Sequence, residues 1–459
     1  MMRAISFGTD GWRASLEEFT AERVRAVGQG VATYLIDHGL TGAPVAIGYD
    51  GRQTSPGFAR DLAEVLRGNG IDVVMAGRDL PTPVLAWSIA NQRFAGGLMV
   101  TASHNPPSYN GVKFITAAGA PSLPAVTDSI EERLAEPRAV EASERTREVP
   151  LNTLPDYVEH VLDFARTDLD GLQTVYDAMH GSGRGVTDRV LTQAGAAVNA
   201  FRCTRDPRFG GHGPNPTPER LSTLIETVER TDADLGIAND GDADRIAIVT
   251  PERGYLAESL FYAALYEYLL ETESGPAVRT VSTTHLIDRI AEAHGEDVIE
   301  TAVGFKWIAA AMREHDALVG GEESGGYSVR GHVREKDGVL LAVLAASMTA
   351  AEPIDERVDR LLAEYGEIVQ DRRSIDCPDD RKSAVMADLD DELPDIIAGE
   401  PVESISTVDG YKVTLGDGAW LLIRPSGTEP KLRVYAEAED RDRVETVLAA
   451  GQKLVEPLV

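Results

Sequence analysis

The feature that most constrains the fold of this chain is an order of predicted elements that occurs three times. Each repeat of this order is called a pass. A pass contains a strand, a helix, a second strand, a second helix and a third strand, and then a loop. The passes begin near Val45, Thr174 and Val278. Because strands that alternate with helices form parallel sheets, the sequence predicts three similar α/β domains with mixed, mainly parallel sheets.

The loop that ends each pass has an unusual composition. The three loops are 101–114, 239–245 and 321–326. Residue identity between the passes is low, so the repeat is one of element order. Ligands of parallel α/β sheets bind beyond the carboxyl ends of the strands, where loops vary while the strands hold them in place. Three such loops in equivalent positions therefore predict a functional site.

The last part of the chain departs from this order. After an acidic, proline-containing stretch at 376–400, short strands and a closing helix from Asp440 indicate a small α+β domain with antiparallel strands. Its hairpin loop is 424–431. The predicted domains of the whole chain are 1–145, 146–252, 253–368 and 369–459.

The charge of the chain excludes some classes of partner. Its 459 residues carry 75 acidic and 44 basic side chains, a formal charge of -31, which argues against nucleic acid and anionic membranes as partners. Only seven lysines are present. A dense acidic, lysine-poor surface tolerates high salt, because salt screens its self-repulsion, so we expect a halophilic source.

Other features of the sequence predict a soluble, cytoplasmic protein. There is no apolar run of 18 residues, and the N-terminal residues lack an apolar signal core. Cys203 and Cys377 lie far apart, without further Cys or His at ligand spacing, which supports neither a disulfide framework nor a zinc site. The sequence leaves the oligomeric state open between monomer and dimer.

The loop after the second pass is a candidate metal site. Asp240, Asp242 and Asp244 alternate with small residues, so three carboxylates can converge on one hard cation. The alternative is a solvated acidic turn. An EF-hand is excluded, because Arg245 and Pro251 stand where that loop needs glycine and glutamate. Three aspartates leave room for a phosphate oxygen in the shell of a Mg²⁺ ion, and Arg245 would steady a transferring phosphoryl group.

Two further loops suit a phosphosugar. The hairpin loop offers a guanidinium, two hydroxyls and backbone N–H groups for a phosphate, besides forming a turn; its candidates are Arg424, Ser426, Gly427, Thr428 and, on the next strand, Arg433. Glu322 and Ser324 offer an acceptor and a donor for sugar hydroxyls. In the loop 301–306, Gly304 and Lys306 are further candidates for substrate binding, and Lys306 supplies a point charge.

Ser103 lies in the first loop, which Pro106 and Pro107 stiffen. Alone it resembles an ordinary serine in a turn. However, Thr-Ala-Ser-His-Asn-Pro at 101–106, Asp-Gly-Asp-Ala-Asp-Arg at 240–245, Gly-Glu-Glu-Ser-Gly-Gly at 321–326 and Arg-Pro-Ser-Gly-Thr-Glu-Pro at 424–430 occur in this order. Together they resemble the α-D-phosphohexomutase family of phosphoglucomutases and phosphomannomutases, over the whole chain.

The resemblance implies four domains around a central cleft. It also implies that Ser103 carries a phosphoryl group, that Mg²⁺ binds to the three aspartates and to that phosphoserine, and that the loops 321–326 and 424–430 hold the sugar and its phosphate. The implied reaction interconverts hexose 1-phosphate and hexose 6-phosphate, of glucose or mannose, through a hexose 1,6-bisphosphate that also serves as activator. Arg13, Lys113 and Arg245 are candidates for charge neutralisation, and His104 and Lys113 for proton transfer.

Three alternatives remain open at this point. One is a phosphoglucosamine mutase of the same family, although the sugar loop of those enzymes usually has Gln before Ser and ends in His, where this chain has Glu323 and Gly326. The second is a catalytically silent protein that binds sugar phosphates. The third is a metal-dependent phosphatase, which would release phosphate.

Overall fold

The computed structural model describes residues 5–138, 146–427 and 429–459, and only the backbone within 390–392. Contacts divide the chain into two compact units. The first unit runs up to Phe261 and includes Ser324–Glu356, and the second comprises Tyr262–Glu323 and Arg357–Val459. The bounds of the four predicted domains stay a prediction.

The first sheet is mixed and has the strand order β1-β5-β4-β2-β3-β6. Its strands are β1 (Trp12–Ser15), β2 (Val45–Tyr49), β3 (Val73–Ala76), β4 (Gly96–Val100), β5 (Tyr109–Thr116) and β6 (Glu148–Leu151). The helices of this region are α1 (Ala21–Asp37), α2 (Ser55–Gly68), α3 (Thr82–Asn91) and α4 (Pro124–Glu131). Strands β2, β3, β4 and β6 are parallel, whereas β5 is antiparallel to both β4 and β1.

The start of α1 illustrates how the sequence specifies these elements. Thr20 is the N-cap, and its hydroxyl accepts a 3.4 Å hydrogen bond from the N–H of Arg23, which satisfies one of the free donors of the first turn. Val24, Val27 and Val31 follow on one face, and all three are fully buried in the core of this region.

The second sheet repeats this arrangement with the order β11-β10-β9-β7-β8. Its strands are β7 (Gln173–Asp177), β8 (Ala197–Phe201), β9 (Leu235–Asn239), β10 (Ile246–Thr250) and β11 (Gly254–Leu256). The helices are α5 (Leu154–Ala165), α6 (Thr187–Gln193) and α7 (Ser222–Arg230). Strand β7 is parallel to β8 and β9, and β10 is antiparallel to its neighbours. The predicted mixed sheets are therefore confirmed for both regions, with two parallel and two antiparallel strand pairs in this second sheet.

In the third region, β12 pairs in parallel with β13 and β14. The strands are β12 (Ala277–Thr280), β13 (Val298–Thr301), β14 (Val319–Gly321) and β15 (Tyr327–Val329). The helices are α8 (Glu258–Leu270), α9 (Leu286–His294), α10 (Phe305–His315), α11 (Gly338–Ala351) and α12 (Ile354–Tyr365). Helix α11 is apolar on all sides and is buried almost throughout. No single helix of the described chain is long and apolar enough to cross a membrane, although α11 and α12 pass that test as a pair bent by 80°.

The last sheet is antiparallel throughout, with the order β16-β21-β20-β19-β18-β17. The strands are β16 (Val369–Asp376), β17 (Ile396–Ile397), β18 (Glu400–Ser406), β19 (Tyr411–Leu415), β20 (Trp420–Pro425) and β21 (Lys431–Ala438). Helices α13 (Asp379–Glu392) and α14 (Arg441–Val455) complete the region. The predicted C-terminal α+β domain with an antiparallel sheet is therefore confirmed.

Candidate functional site

Ser103 lies three residues beyond the end of β4, as predicted. Its side chain is fully buried, and its backbone has a φ of 49°, in the left-handed region that residues with a Cβ rarely occupy. The N–H of Ser103 donates a 2.8 Å hydrogen bond to the hydroxyl of Thr101. The serine is therefore held in a specific, sparsely populated conformation and is not part of a loose turn.

The Ser103 side chain contacts the aspartate loop. Its Oγ donates a 2.6 Å hydrogen bond to Oδ2 of Asp240 and lies 3.3 Å from Nδ1 of His104. Gly241 makes this close approach possible, because a Cβ at that position would lie 2.6 Å from the carbonyl oxygen of Ser103. The loops that end the first and second passes thus meet at the serine.

The three predicted metal ligands form a compact, fully buried cluster. Each of Asp240, Asp242 and Asp244 offers an oxygen atom, and these atoms lie within 4.8 Å of one another. Thr82 donates a 2.6 Å hydrogen bond to Oδ2 of Asp242. The buried Oδ1 atoms of Asp242 and Asp244 accept no hydrogen bond from the described residues. Since buried carboxylate oxygens without donors are costly, this cluster fits a hard cation with oxygen ligands.

Two of the predicted cationic side chains are anchored beside the cluster by Asp10. The Nζ of Lys113 lies 2.7 Å from Asp10, 3.1 Å from Asp244 and 3.4 Å from Asp242. Arg13 pairs with Asp10 at 2.8 Å and donates a 3.3 Å hydrogen bond to Asn105. Lys113 lies on β5 and Arg13 on β1, so adjacent antiparallel strands position both cations.

Sequence reasoning missed Lys336 as a member of this site. Its side chain is 2% exposed, and its Nζ lies 3.1 Å from Asp244 and 3.5 Å from Asp10. Gly326 packs against it so closely that a Cβ there would overlap the Lys336 side chain. The scarcity of lysine in the chain was the one signal that could have identified it.

Arg245 contacts two aspartates of the cluster. Its backbone N–H donates a 3.3 Å hydrogen bond to Oδ1 of Asp240, and its Nε lies 3.9 Å from Oδ1 of Asp244. Burial raises the pKa of Asp240 well above its usual range, and the charges of Asp244 and Asp242 raise it further. Burial also acts to raise the pKa of Asp244, but Lys336, Lys113 and Arg245 outweigh it, and the pKa is lowered.

The proton-transfer candidates differ in charge. The cation of Arg245, followed by burial and by Arg13, lowers the pKa of His104 well below its usual range, so its imidazole is neutral near pH 7. Burial acts to lower the pKa of Lys113, but Asp10, Asp244 and Asp242 outweigh it, and the pKa is raised. Of the two, His104 is the one able to accept a proton.

In the second unit, the sugar-loop and 301–306 candidates are joined by a hydrogen bond. The N–H of Gly304 donates a 3.1 Å hydrogen bond to Oε1 of Glu322, which is 7% exposed. Lys306 lies in the first turn of α10, and its Nζ is 6.0 Å from the ring centre of Trp307. Ser324 falls in the first unit.

The predicted phosphate loop connects β20 and β21 of the second unit. Arg424 forms a 3.0 Å ion pair with Asp409, which also accepts a 3.1 Å hydrogen bond from the N–H of Val303. Arg433 pairs with Glu429. The Oγ of Ser426 accepts a hydrogen bond from the N–H of Glu429 at 3.2 Å.

Gly427 and Thr428 are the two further candidates of this loop. Gly427 is exposed, and Thr428 lies outside the described residues. Asp409, which sequence reasoning missed, joins the hairpin to the segment that precedes α10.

Comparison with protein families gives four matches, in chain order. The chain matches the models of phosphoglucomutase/phosphomannomutase alpha/beta/alpha domain I over residues 4–141, domain II over 155–254, domain III over 259–365 and the C-terminal domain over 375–451. The matches thus extend over nearly the whole chain.

Individual relatives agree with these matches. A probable phosphoglucosamine mutase of Methanopyrus kandleri is 37% identical, over 95% of this chain and 94% of the relative. A phosphoglucomutase/phosphomannomutase of Thermococcus kodakarensis is 30% identical, over 98% of each chain. A crystal structure from Thermus thermophilus, described under the name phosphomannomutase, superposes with a TM-score of 0.86 at 31% identity and covers 99% of this chain and 100% of its own.

Proposed function

The chain belongs to the phosphoglucomutase/phosphomannomutase family of intramolecular phosphotransferases, and we propose that it interconverts hexose 1-phosphates and hexose 6-phosphates of glucose, mannose or both. The observation that carries this proposal is the 2.6 Å hydrogen bond from Ser103 Oγ to Asp240 within the buried aspartate cluster. The bond shows that Oγ lies at the edge of the cluster, so a phosphoryl group on this atom would lie next to a cation held by the aspartates.

The reaction has two phosphoryl transfers. In the first, the bond between phosphorus and Ser103 Oγ breaks while a bond forms to the free hydroxyl of the hexose monophosphate. His104 takes the hydroxyl proton and passes it to the leaving Oγ, which lies 3.3 Å from its Nδ1, so that Ser103 ends as a free hydroxyl and the histidine is neutral again. The resulting hexose 1,6-bisphosphate reorients so that its other phosphoryl group faces Ser103. In the second transfer, this group passes to Ser103. Added bisphosphate therefore acts as an activator, since it phosphorylates the free serine.

Asp240, Asp242 and Asp244 would hold the Mg²⁺ ion, together with the phosphoryl group on Ser103. Bound there, Mg²⁺ supplies positive charge that neutralises the transferring phosphoryl group. The residues themselves fit this use, because two buried carboxylate oxygens of the cluster accept no hydrogen bond from the described chain.

The cationic side chains of the first unit have a complementary task. Lys113 and Lys336 are buried and paired with the aspartates, so they offset the negative charge of the cluster. Arg13 and Arg245 lie beside the serine loop and the aspartate loop, where they would stabilise the phosphoryl group as charge spreads over its oxygens.

The candidates of the sugar loop, of the loop 301–306 and of the hairpin loop would bind the part of the substrate that does not react. Glu322, with Ser324, would accept and donate hydrogen bonds to sugar hydroxyls, and Gly304 and Lys306 would lie beside the sugar. The phosphate at the other end of the hexose would bind to the hairpin loop. Its proposed ligands are Arg424, Ser426, Gly427, Thr428 and Arg433.

A phosphoglucosamine mutase is the second candidate, because the relative from Methanopyrus kandleri bears that name. The sugar loop argues for the first candidate. Gly326 ends this loop without a side chain, and any Cβ there would overlap Lys336, which pairs with Asp244. A histidine at that position would therefore require Lys336 to move.

The test is a mutase assay on the phosphorylated protein with Mg²⁺ and a trace of the matching bisphosphate. Glucose 1-phosphate, mannose 1-phosphate and glucosamine 1-phosphate are offered separately, and inorganic phosphate is measured in parallel. We expect turnover of the first two, and its loss in Ser103→Ala. Preferred turnover of glucosamine 1-phosphate supports the second candidate, net phosphate release indicates a phosphatase, and binding without turnover indicates a silent sugar-phosphate protein.

A further inference from the structure

Arg52 binds four backbone carbonyl groups of the segment around Ser103 with the two terminal nitrogens of its guanidinium. It follows the end of β2 and is 1% exposed. Its Nε pairs with Oδ2 of Asp50 at 2.9 Å. Its other donors bind backbone carbonyl oxygens of the serine loop: Ser103 at 2.7 Å, Asn105 at 2.8 Å, Pro106 at 2.6 Å and Tyr109 at 3.1 Å.

These bonds close a ring around the Ser103 backbone. The N–H of Ser103 donates to the hydroxyl of Thr101 at 2.8 Å, and that hydroxyl donates to Oδ2 of Asp50 at 2.8 Å. Asp50 pairs with Arg52, and Arg52 donates to the carbonyl oxygen of Ser103. Both sides of the serine backbone are thus tied to the same buried ion pair.

The loop needs an external donor because its own backbone supplies few. Pro106 and Pro107 carry no N–H group, and Ser103 is held in the left-handed region, where a residue with a Cβ does not remain by preference. A guanidinium offers five donors in one rigid plane, whereas the ammonium of lysine offers three at a single point. This pattern of four carbonyl acceptors and one carboxylate requires arginine.

We propose that Arg52 is a positioning residue that fixes Ser103 in the conformation in which its Oγ faces Asp240. This rests on the proposed function, since the serine is taken as the phosphoryl carrier. Arg52 hydrogen-bonds the backbone of the loop and not the serine hydroxyl, so its loss misplaces the reacting oxygen without removing a substrate contact. The expected defect is therefore in kcat and in phosphorylation of Ser103 by bisphosphate, with KM nearly unchanged.

The experiment compares Arg52→Lys and Arg52→Ala with Arg357→Lys. Arg357 is a matched control, because it is also 1% exposed and pairs with Glu267 and Glu271, which are no part of the proposed site. We expect kcat to fall about 100-fold in both Arg52 variants, with KM within about threefold of wild type. Millimolar guanidinium should restore at least about a tenth of the lost activity to Arg52→Ala, whereas Arg357→Lys should lose stability but keep its kcat.

A second readout does not depend on activity. Amide hydrogen exchange in the segment 102–109 should become faster in Arg52→Ala, and the exchange of β4 should change little. If the exchange of the loop is unchanged in folded Arg52→Ala or Arg52→Lys, the proposal is wrong. It is equally wrong if kcat is retained, or if KM rises while kcat holds. Absence of mutase activity in the wild type would instead overturn the proposed function, and the exchange result would still decide the role of Arg52.

Discussion

Ser103 Oγ lies 2.6 Å from Oδ2 of Asp240, although 137 residues separate them in the chain. The contact joins the loop after β4 to the loop after β9, which are the equivalent ends of two α/β regions. It places the hydroxyl at the edge of a carboxylate cluster and beside a neutral imidazole. In the proposed function, phosphoryl transfer and cation binding would therefore depend on the same few atoms.

Removing a carboxylate from the cluster should weaken cation binding. In Asp242→Asn, one buried charge is lost while the shape is kept, so we expect the affinity for Mg²⁺ or Mn²⁺ to fall at least about tenfold and kcat about 100-fold. Calorimetric titration with Mn²⁺ measures the first effect without any turnover. Asp232→Asn, at an exposed position, is the control. Unchanged Mn²⁺ affinity in Asp242→Asn would exclude the cluster as the metal site.

Lys336 should be needed more for the stability of the metal-free protein than for that of the metal-bound protein. In Lys336→Met, buried Asp244 loses a cation at 3.1 Å, so we expect the free energy of unfolding to fall by about 3 kcal/mol without metal. A divalent ion at the aspartates replaces part of that charge, and the loss should then shrink. Urea unfolding with EDTA and with saturating Mg²⁺ measures both values. Equal losses in the two conditions would contradict this view of Lys336.

The regular elements could be predicted from the sequence, because each depends on local patterns. Strand β4 and the N-cap at Thr20 follow from an apolar run and a hydroxyl before a helix. Strand β5 was not predicted, because Asn110 and Gly111 indicate a turn within the predicted loop 101–114. The segment forms a strand because it pairs with β1 and β4. Lys113 consequently lies on a strand and not in a loop.

The part of the site that could not be predicted depends on distant pairs. Asp10 and Lys336 approach to 3.5 Å across 326 residues, and nothing local to either residue indicates the other. The role of Arg52 could not be predicted either, because its partners are backbone carbonyl groups, and every residue type has one. The halophilic source stays a prediction, and the sequence made none between monomer and dimer.

Asp409 should set the affinity for the substrate through Arg424. Its carboxylate forms a 3.0 Å ion pair with the guanidinium of Arg424 and accepts a 3.1 Å hydrogen bond from the N–H of Val303. Because the carboxylate is held from both sides, it fixes the direction in which Arg424 points. In Asp409→Asn, the charge-assisted pair is lost, and we expect KM for the phosphosugar to rise about tenfold with a smaller change in kcat. Steady-state kinetics measure this, with Glu403→Gln on exposed β18 as the control. A fall in kcat at constant KM would assign Asp409 a different role.

His285 should make the second unit sensitive to mild acid. Burial, and then the charges of Lys412, Arg279 and Arg289, lower the pKa of this side chain, so it stays neutral in the folded chain. The unfolded histidine takes up a proton near pH 6.5, so the stability that its burial contributes is present above that pH and is lost as the pH falls. The slope approaches about 1.4 kcal/mol per pH unit at most.

This expectation is tested by comparing the unfolding of wild type and His285→Gln between pH 7.5 and about 5.5, a window that spans the ordinary histidine pKa. Because other groups titrate in the same range, the difference between the two proteins is the measured quantity. Their stability difference should change with pH in the direction that makes the variant relatively more stable in acid. His38→Gln, at an exposed histidine, is the control variant. A pH-independent difference for His285→Gln would mean that folding leaves the pKa of this imidazole unchanged, which would contradict the expectation.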